Sequence, residues 1–360
     1  MGIQLNNCDD CAERLERLLS LVPDYNIQYE NDAMVRQSML TKPDGSLGAL
    51  EQLSARLAGI TELETPEFIH PHVFIFAADH GVAKTQRVSA YPQSVTNEMV
   101  LNFARGGAVV NALANHIGAT LHVVDVGVDC EKHCSPRVVT DKVRNGTDDW
   151  STGPAMTSLD AISAMEAGAN AVLTSDPLDL VVVGEMGIGN TATAAVLIAA
   201  TTSVPSKLLV GPGTGLDVNG IAVKLQVIER GLARRDGTED VFTLLYEFGG
   251  LEIAAMVGAI IAATSRRSPV ILDGLISTLS GFLACLMNPK VRNYLIAGHL
   301  SPEPAHAVIL ERMSLVPLLD LGLRLGEASG ATLAVPLVTA AAAILKNVST
   351  FEQAGISTKS

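Results

Sequence analysis

From residue 72 onward, short apolar runs alternate with longer stretches of helical periodicity. The runs at 73–78, 121–126, 180–183, 207–210, 270–272 and 294–297 read as buried strands. Each ends on polar or glycine residues: Asp79-His80-Gly81, Gly127-Val128-Asp129, Gly184 to Asn190, Gly211 to Asp217, Asp273-Gly274 and Gly298-His299. Helical patterning fills 96–117, 222–232, 251–264 and 276–287. This alternation predicts a doubly wound α/β fold, Rossmann-like, with a mainly six-stranded parallel sheet covered on both faces. Such sheets build their sites at the carboxyl ends of the strands. The flanks differ. Residues 1–65 are polar with helical periodicity at 11–21 and 47–60, and two helical runs, 305–325 and 331–347, follow Pro304. They predict a smaller helical domain from 1–65 plus 305–360, beside a large α/β domain over 66–304.

Composition narrows the picture. Of 360 residues, 48% are apolar and only 4% aromatic, as suits buried parallel strands under closely packed helices. The net charge of −13 argues against nucleic acid, whose backbone demands clustered Lys and Arg. The N-terminal stretch MGIQLNNCDDCAERLERLL lacks the apolar core of a secretory signal, and runs such as 253–264 are too short for a bilayer. We therefore expect a cytoplasmic protein with no membrane partner. Five cysteines, an odd number, suggest reduced thiols. Cys8/Cys11 and Cys130/His133/Cys134 have metal-like spacing, but no matching second pair; no metal site is expected.

Two strand exits carry phosphate-binding character. In Gly184-Glu-Met-Gly-Ile-Gly-Asn190 the strand is expected to stop at Gly184. Gly187 and Gly189 shape a turn into a helix, and Asn190, Thr191 and Thr193 add donors. Glu185 is out of place in a phosphate loop, so it serves either chemistry or a ribose hydroxyl. The second exit, with Gly213 and Gly215, is followed by Lys224, a point charge for a phosphate. Ser301 and His299 add donors in GHLSPEP (298–304). In Leu325-Gly326-Glu327-Ala328-Ser329-Gly330 a carboxylate sits in apolar surroundings. It is either a solvated loop acid or a desolvated general base. The segment 138–147 echoes a ribosyl-diphosphate loop, but Asp141 stands alone and no magnesium site is read there.

KPDGSLGALE (42–51), AADHGV (77–82), SAYPQSVTNEMV (89–100), GEMGIGNTATAA (184–195), GPGTGLD (211–217), EFGGLEIAAMVGA (247–259), GHLSPEPAH (298–306) and RLGEASGA (324–331) together resemble the nicotinate-nucleotide–dimethylbenzimidazole phosphoribosyltransferases. The resemblance spans nearly the whole chain. It implies transfer of ribose 5-phosphate from nicotinate mononucleotide to 5,6-dimethylbenzimidazole with inversion at the anomeric carbon, and no cofactor or metal. It assigns Glu327 as base toward the acceptor and Glu185 as neighbour of the ribosyl centre. Gly187, Gly189, Asn190, Thr191, Gly213, Gly215, Lys224 and Ser301 fall to the donor phosphate and ribose. Ser89, Tyr91, Asn97, Glu98 and Leu325 fall to the acceptor pocket. The chain departs from the family's usual Gly-Glu-Gly-Thr-Gly turn, keeping its glutamate, and it varies after Ser89. The acceptor is therefore open to a related benzimidazole, a purine or a phenol. A dimer is implied, of like or unlike subunits, with 251–264 and 276–287 as interface or as sheet-covering helices. A dehydrogenase would need Gly-x-Gly-x-x-Gly, which the turn at 184–190 lacks. A silent binding subunit would have no use for Glu185, Lys224 and Glu327.

Overall fold

The computed structural model describes residues 11–357 except 132–134, 236, 238 and 239. Its described strands are β1 (Pro71–Ala78), β2 (Thr120–Gly127), β3 (Val138–Thr140), β4 (Leu180–Met186), β5 (Val270–Leu272) and β6 (Leu295–Ala297). They form one sheet in the order β3-β2-β1-β4-β5-β6, and every pair is parallel. The order reverses direction between β1 and β4, where doubly wound sheets open a crevice at their carboxyl ends. Both central strands are buried at every position, because helices cover both faces. Phe74, Phe76, Val181 and Val183 belong to one core, with apolar residues of helices Ser158–Leu173, Asn190–Thr202, Leu251–Ser265 and Leu275–Met287. Val73, Ile75 and Val182 belong to the other, with those of helices Val95–Arg105, Val109–Ile117 and Ser329–Asn347.

Helices Ser158–Leu173 and Leu251–Ser265 approach backbone to backbone. A Cβ on Gly168 would lie 1.8 Å from the Ala255 carbonyl oxygen, and one on Gly258 would lie 1.8 Å from that of Met165. Helix Leu251–Ser265 is buried from Leu251 to Thr264 within the chain, so it covers the sheet and offers no interface. Leu275–Met287 is buried through Ala284 in the same way.

Several sequence expectations need correcting. The run 207–210 is no strand: Ser206–Leu208 forms a 3-10 turn behind Pro205, with Leu208 exposed. The sixth strand is β3, inside the segment set aside at 138–147. β4 continues past Gly184 to Met186, pairing Phe76 with Glu185 and Ala77 with Met186. Glu185 therefore sits on a strand, not in the turn. The helical run 96–117 is two helices, broken at Gly106 with φ of 84°. The run 305–325 is helical only over Pro304–Arg312. Beyond it the chain lies along the sheet end, with Leu318 and Leu319 N–H groups donating to Ala297 and Gly298 carbonyls.

Among the terminal helices, Ile27–Met39, Ala49–Thr61 and Ser329–Asn347 pack on one another, while Cys11–Leu19 packs on Ser158–Leu173. Ser329–Asn347 is the one described helix long and apolar enough to cross a membrane, and its inner face is built into the sheet core.

Candidate active site

The carboxyl ends of β4, β5 and β6 open into a cavity of about 350 Å³. Glu185, Gly187, Asn190 and Thr191 line it from the β4 exit; Gly213 and Thr214 from the second glycine loop; Gly274, Leu275 and Ile276 from the β5 exit; His299, Ser301 and Glu303 from the β6 exit. Arg324 to Glu327 and the helix residues Val95 and Met99, with Tyr91, complete the wall.

Glu185 is 9% exposed and accepts a hydrogen bond from the Asn190 side chain. Burial, then the carboxylates of Glu252, Asp273 and Glu327, raise its pKa to about 8. The turn after it is less open to a ligand than the pattern suggested. The Ile188 N–H donates to Thr96 Oγ1 and the Asn190 N–H to the Gly187 carbonyl. Lys224 approaches instead. It is 1% exposed, and its Nζ donates to Thr191 Oγ1 at 2.8 Å and to the Gly211 carbonyl at 3.3 Å. Burial lowers its pKa to about 8 against the opposing pull of Glu303. Glu303 Oε1 accepts from the Gly213 N–H, while its buried Oε2 has no hydrogen-bond partner among the described residues. Ser301 is buried beside it, its N–H donating to His306 Nδ1.

Glu327 occupies a turn with three consecutive positive φ angles: Gly326 at 79°, Glu327 at 59° and Ala328 at 57°. The turn feeds helix Ser329–Asn347. Ser329 Oγ donates to the Gly326 carbonyl at 2.7 Å, and the Ala331 N–H to Asp273 Oδ1 at 2.9 Å. A Cβ on Gly184 would lie 2.4 Å from the Ala328 nitrogen, so only glycine lets β4 meet this turn. Glu327 is 8% exposed. Burial first, then Asp273, raise its pKa to about 7. His299 Nε2 lies 3.4 Å from Asp273 Oδ1. Burial opposes charge on His299, but Asp273 outweighs it and raises the pKa.

The residues expected around the acceptor divide. Tyr91 and Leu325 line the cavity, both about half exposed. Ser89 stands beside its rim, with Oγ 3.3 Å from Thr214 Oγ1. Asn97 and Glu98 lie on helix Val95–Arg105, whose Val95 and Met99 make the wall; Glu98 is exposed. Gly189 holds the helix entry at φ 101°, and Gly215 sits at φ 116° in the second loop. Sequence reading missed Val95, Met99, Leu275, Ile276 and Arg324. The first two had a signal in their spacing of one helical turn.

His80 lies outside the cavity wall. Its Nε2 is 2.7 Å from Glu252 Oε1 and its Nδ1 3.0 Å from Thr193 Oγ1, which also accepts from Trp150 Nε1. This buried chain ties β1 to helices Asn190–Thr202 and Leu251–Ser265. Cys11 and Cys285 are free thiols, and Cys130 Sγ accepts from Lys142 Nζ at 3.5 Å; Cys8, His133 and Cys134 lie outside the described residues. No group of three or more candidate metal ligands occurs among the described residues.

A family model described as Phosphoribosyltransferase matches residues 22–356, which places the fold and its strand-end cavity in that class of enzyme. A protein of Chloroflexus aggregans named nicotinate-nucleotide–dimethylbenzimidazole phosphoribosyltransferase is 48% identical over 90% of this chain and 92% of its own length. One of the same name from Geobacter sulfurreducens is 43% identical over 95% and 98%. The crystal structure of the Thermus thermophilus enzyme of that name superposes with a TM-score of 0.88 at 41% identity, covering 93% of this chain and all of that one. The chain belongs to the nicotinate-nucleotide–dimethylbenzimidazole phosphoribosyltransferase family.

Proposed function

We propose that this chain moves ribose 5-phosphate from nicotinate mononucleotide to 5,6-dimethylbenzimidazole, releasing nicotinate and forming α-ribazole 5′-phosphate. The observation that carries the reading is Glu327, a buried carboxylate with its pKa near 7, facing the same cavity as Glu185. A base tuned to neutral pH is half ionised where it works and holds a proton once it has taken one.

The chemistry balances without an added activator. One acceptor nitrogen attacks the anomeric carbon while the other loses its proton to Glu327. The carbon–nitrogen bond of the donor breaks with its electron pair going to the pyridinium nitrogen, which neutralises the leaving ring. Glu185, when ionised, faces the positive charge that develops on the ribosyl carbon. Lys224, Thr191 and Ser301 receive the 5′-phosphate; phosphate binding restores the full charge of a lysine depressed to about 8. Val95, Met99, Leu275, Ile276 and Leu325 supply the apolar bed for a flat aromatic acceptor. Holding donor and acceptor in line supplies much of the rate. We further propose that the protein acts as a dimer. The support is a set of exposed apolar residues, Ile27, Met34, Val35 and Met39, on helix Ile27–Met39.

Nicotinate release from nicotinate mononucleotide and dimethylbenzimidazole, in metal-free buffer, tests the reading. Nicotinate is expected to appear with equimolar α-ribazole phosphate. Its absence with every benzimidazole, purine and phenol overturns the transfer. Competition among those acceptors ranks them.

A further inference from the structure

Donor recognition must satisfy two anions at opposite ends of one molecule, the 5′-phosphate and the pyridine carboxylate. Lys224 lies behind Thr191 and Gly213, at the phosphate end of the reading above, and its Nζ is already held there. The ionisable lining of the cavity is otherwise mostly carboxyl groups: Glu185, Glu303 and Glu327. An aromatic carboxylate placed among them would find no countercharge without a cation. Arg324 is the permanent cation on that lining. It makes no hydrogen bond or ion pair with the described residues and is exposed at the mouth, next to Leu325 and three positions before Glu327. Most of the chain's arginines are otherwise engaged, such as Arg14 with Glu166, Arg234 with Glu247 and Arg292 with backbone carbonyls. Arg324 and Glu327 line the same cavity. In an in-line displacement the leaving ring and the acceptor N–H lie on opposite sides of the ribosyl carbon, so a cation for the ring and a base for the acceptor serve different ends of the site.

We propose that Arg324 is a specificity residue: its guanidinium binds the carboxylate of the nicotinate ring, in the donor and in the departing product. A planar fork matches a carboxylate in a way an ammonium does not. The inference rests on the transfer reading above, and its test is separable from that reading. Calorimetry compares wild type, Arg324→Gln and Arg324→Lys with three probes: nicotinate mononucleotide, free nicotinate and ribose 5-phosphate. Arg324→Gln is expected to weaken nicotinate and the mononucleotide at least about tenfold and ribose 5-phosphate less than about twofold, with partial recovery in Arg324→Lys. Equal weakening of both fragments assigns the guanidinium to the phosphate and overturns the proposal. So does a variant that binds all three like wild type. Should wild type bind the donor yet release no nicotinate with any acceptor, the transfer reading falls while the carboxylate contact is still decided by the fragments.

Discussion

Glu185 and Glu327 face one cavity from opposite kinds of support. Glu185 stands on β4, in register with Phe76 of β1, where a parallel ladder fixes the backbone. Glu327 stands on a left-handed turn outside any ladder. Left-handed backbone costs an ordinary L-residue about 1–2 kcal/mol, and both Glu327 and Ala328 carry it. The turn keeps its shape through the Ser329–Gly326 and Thr332–Ala328 hydrogen bonds and the Asp273 carboxylate under the Ala331 N–H. The strand delivers a charge at a fixed point, whereas the turn delivers one by strain that its neighbours enforce. Both acids are raised by burial, so the difference lies in backing and not in solvation.

The largest break in this comparison is Glu327→Gln. It should lower turnover by about 100- to 10,000-fold, the usual worth of a positioned base, with donor affinity changed less than about threefold in calorimetry. Equal loss of both would make Glu327 a structural acid. Next comes Gly184→Ala. The added methyl meets the Ala328 backbone, so it should displace the turn and not the strand. The expected cost is about 1–3 kcal/mol of stability, with kcat falling more than donor affinity, read by denaturant titration and steady-state kinetics. Activity should also rise with pH through about 7 as Glu327 ionises. That limb should be missing from the residual activity of Glu327→Gln. The last effect is on the pH dependence of stability. Glu185 has its folded pKa raised from 4.5 to about 8, so it stabilises the fold below about 4.5 and that contribution is lost as pH rises to about 8. Glu185→Gln should therefore melt progressively higher than wild type between those limits and level off above them. A constant difference across pH would mean that Glu185 is not held neutral.

The fold was legible where apolar runs are long. β1, β2 and β4 announce themselves because both faces of a central parallel strand are buried. β3 did not: it has three residues, with Val139 exposed at the sheet edge, and so no period to read. The run 207–210 misled for the converse reason. Three apolar residues after a lysine look like a strand, yet Pro205 starts a 3-10 turn there and Lys207 and Leu208 face solvent. In the site, Glu185 and Glu327 stood out as acids in apolar, glycine-rich company. Arg324 did not, and Val95 and Met99 showed only their helical spacing, because tertiary convergence of separate helices and loops brings them to one wall.

The glycine contacts between helices Ser158–Leu173 and Leu251–Ser265 bear on how such a site diversifies. The atoms in the way of any larger residue are carbonyl oxygens, which no neighbouring substitution can shorten. That slab behind the sheet is closed to gradual change, one residue at a time. The wall bearing Tyr91, Val95 and Met99 is made of side chains meeting open space. A lineage built on this plan is thus free to trade acceptors at one wall while its other side stays frozen.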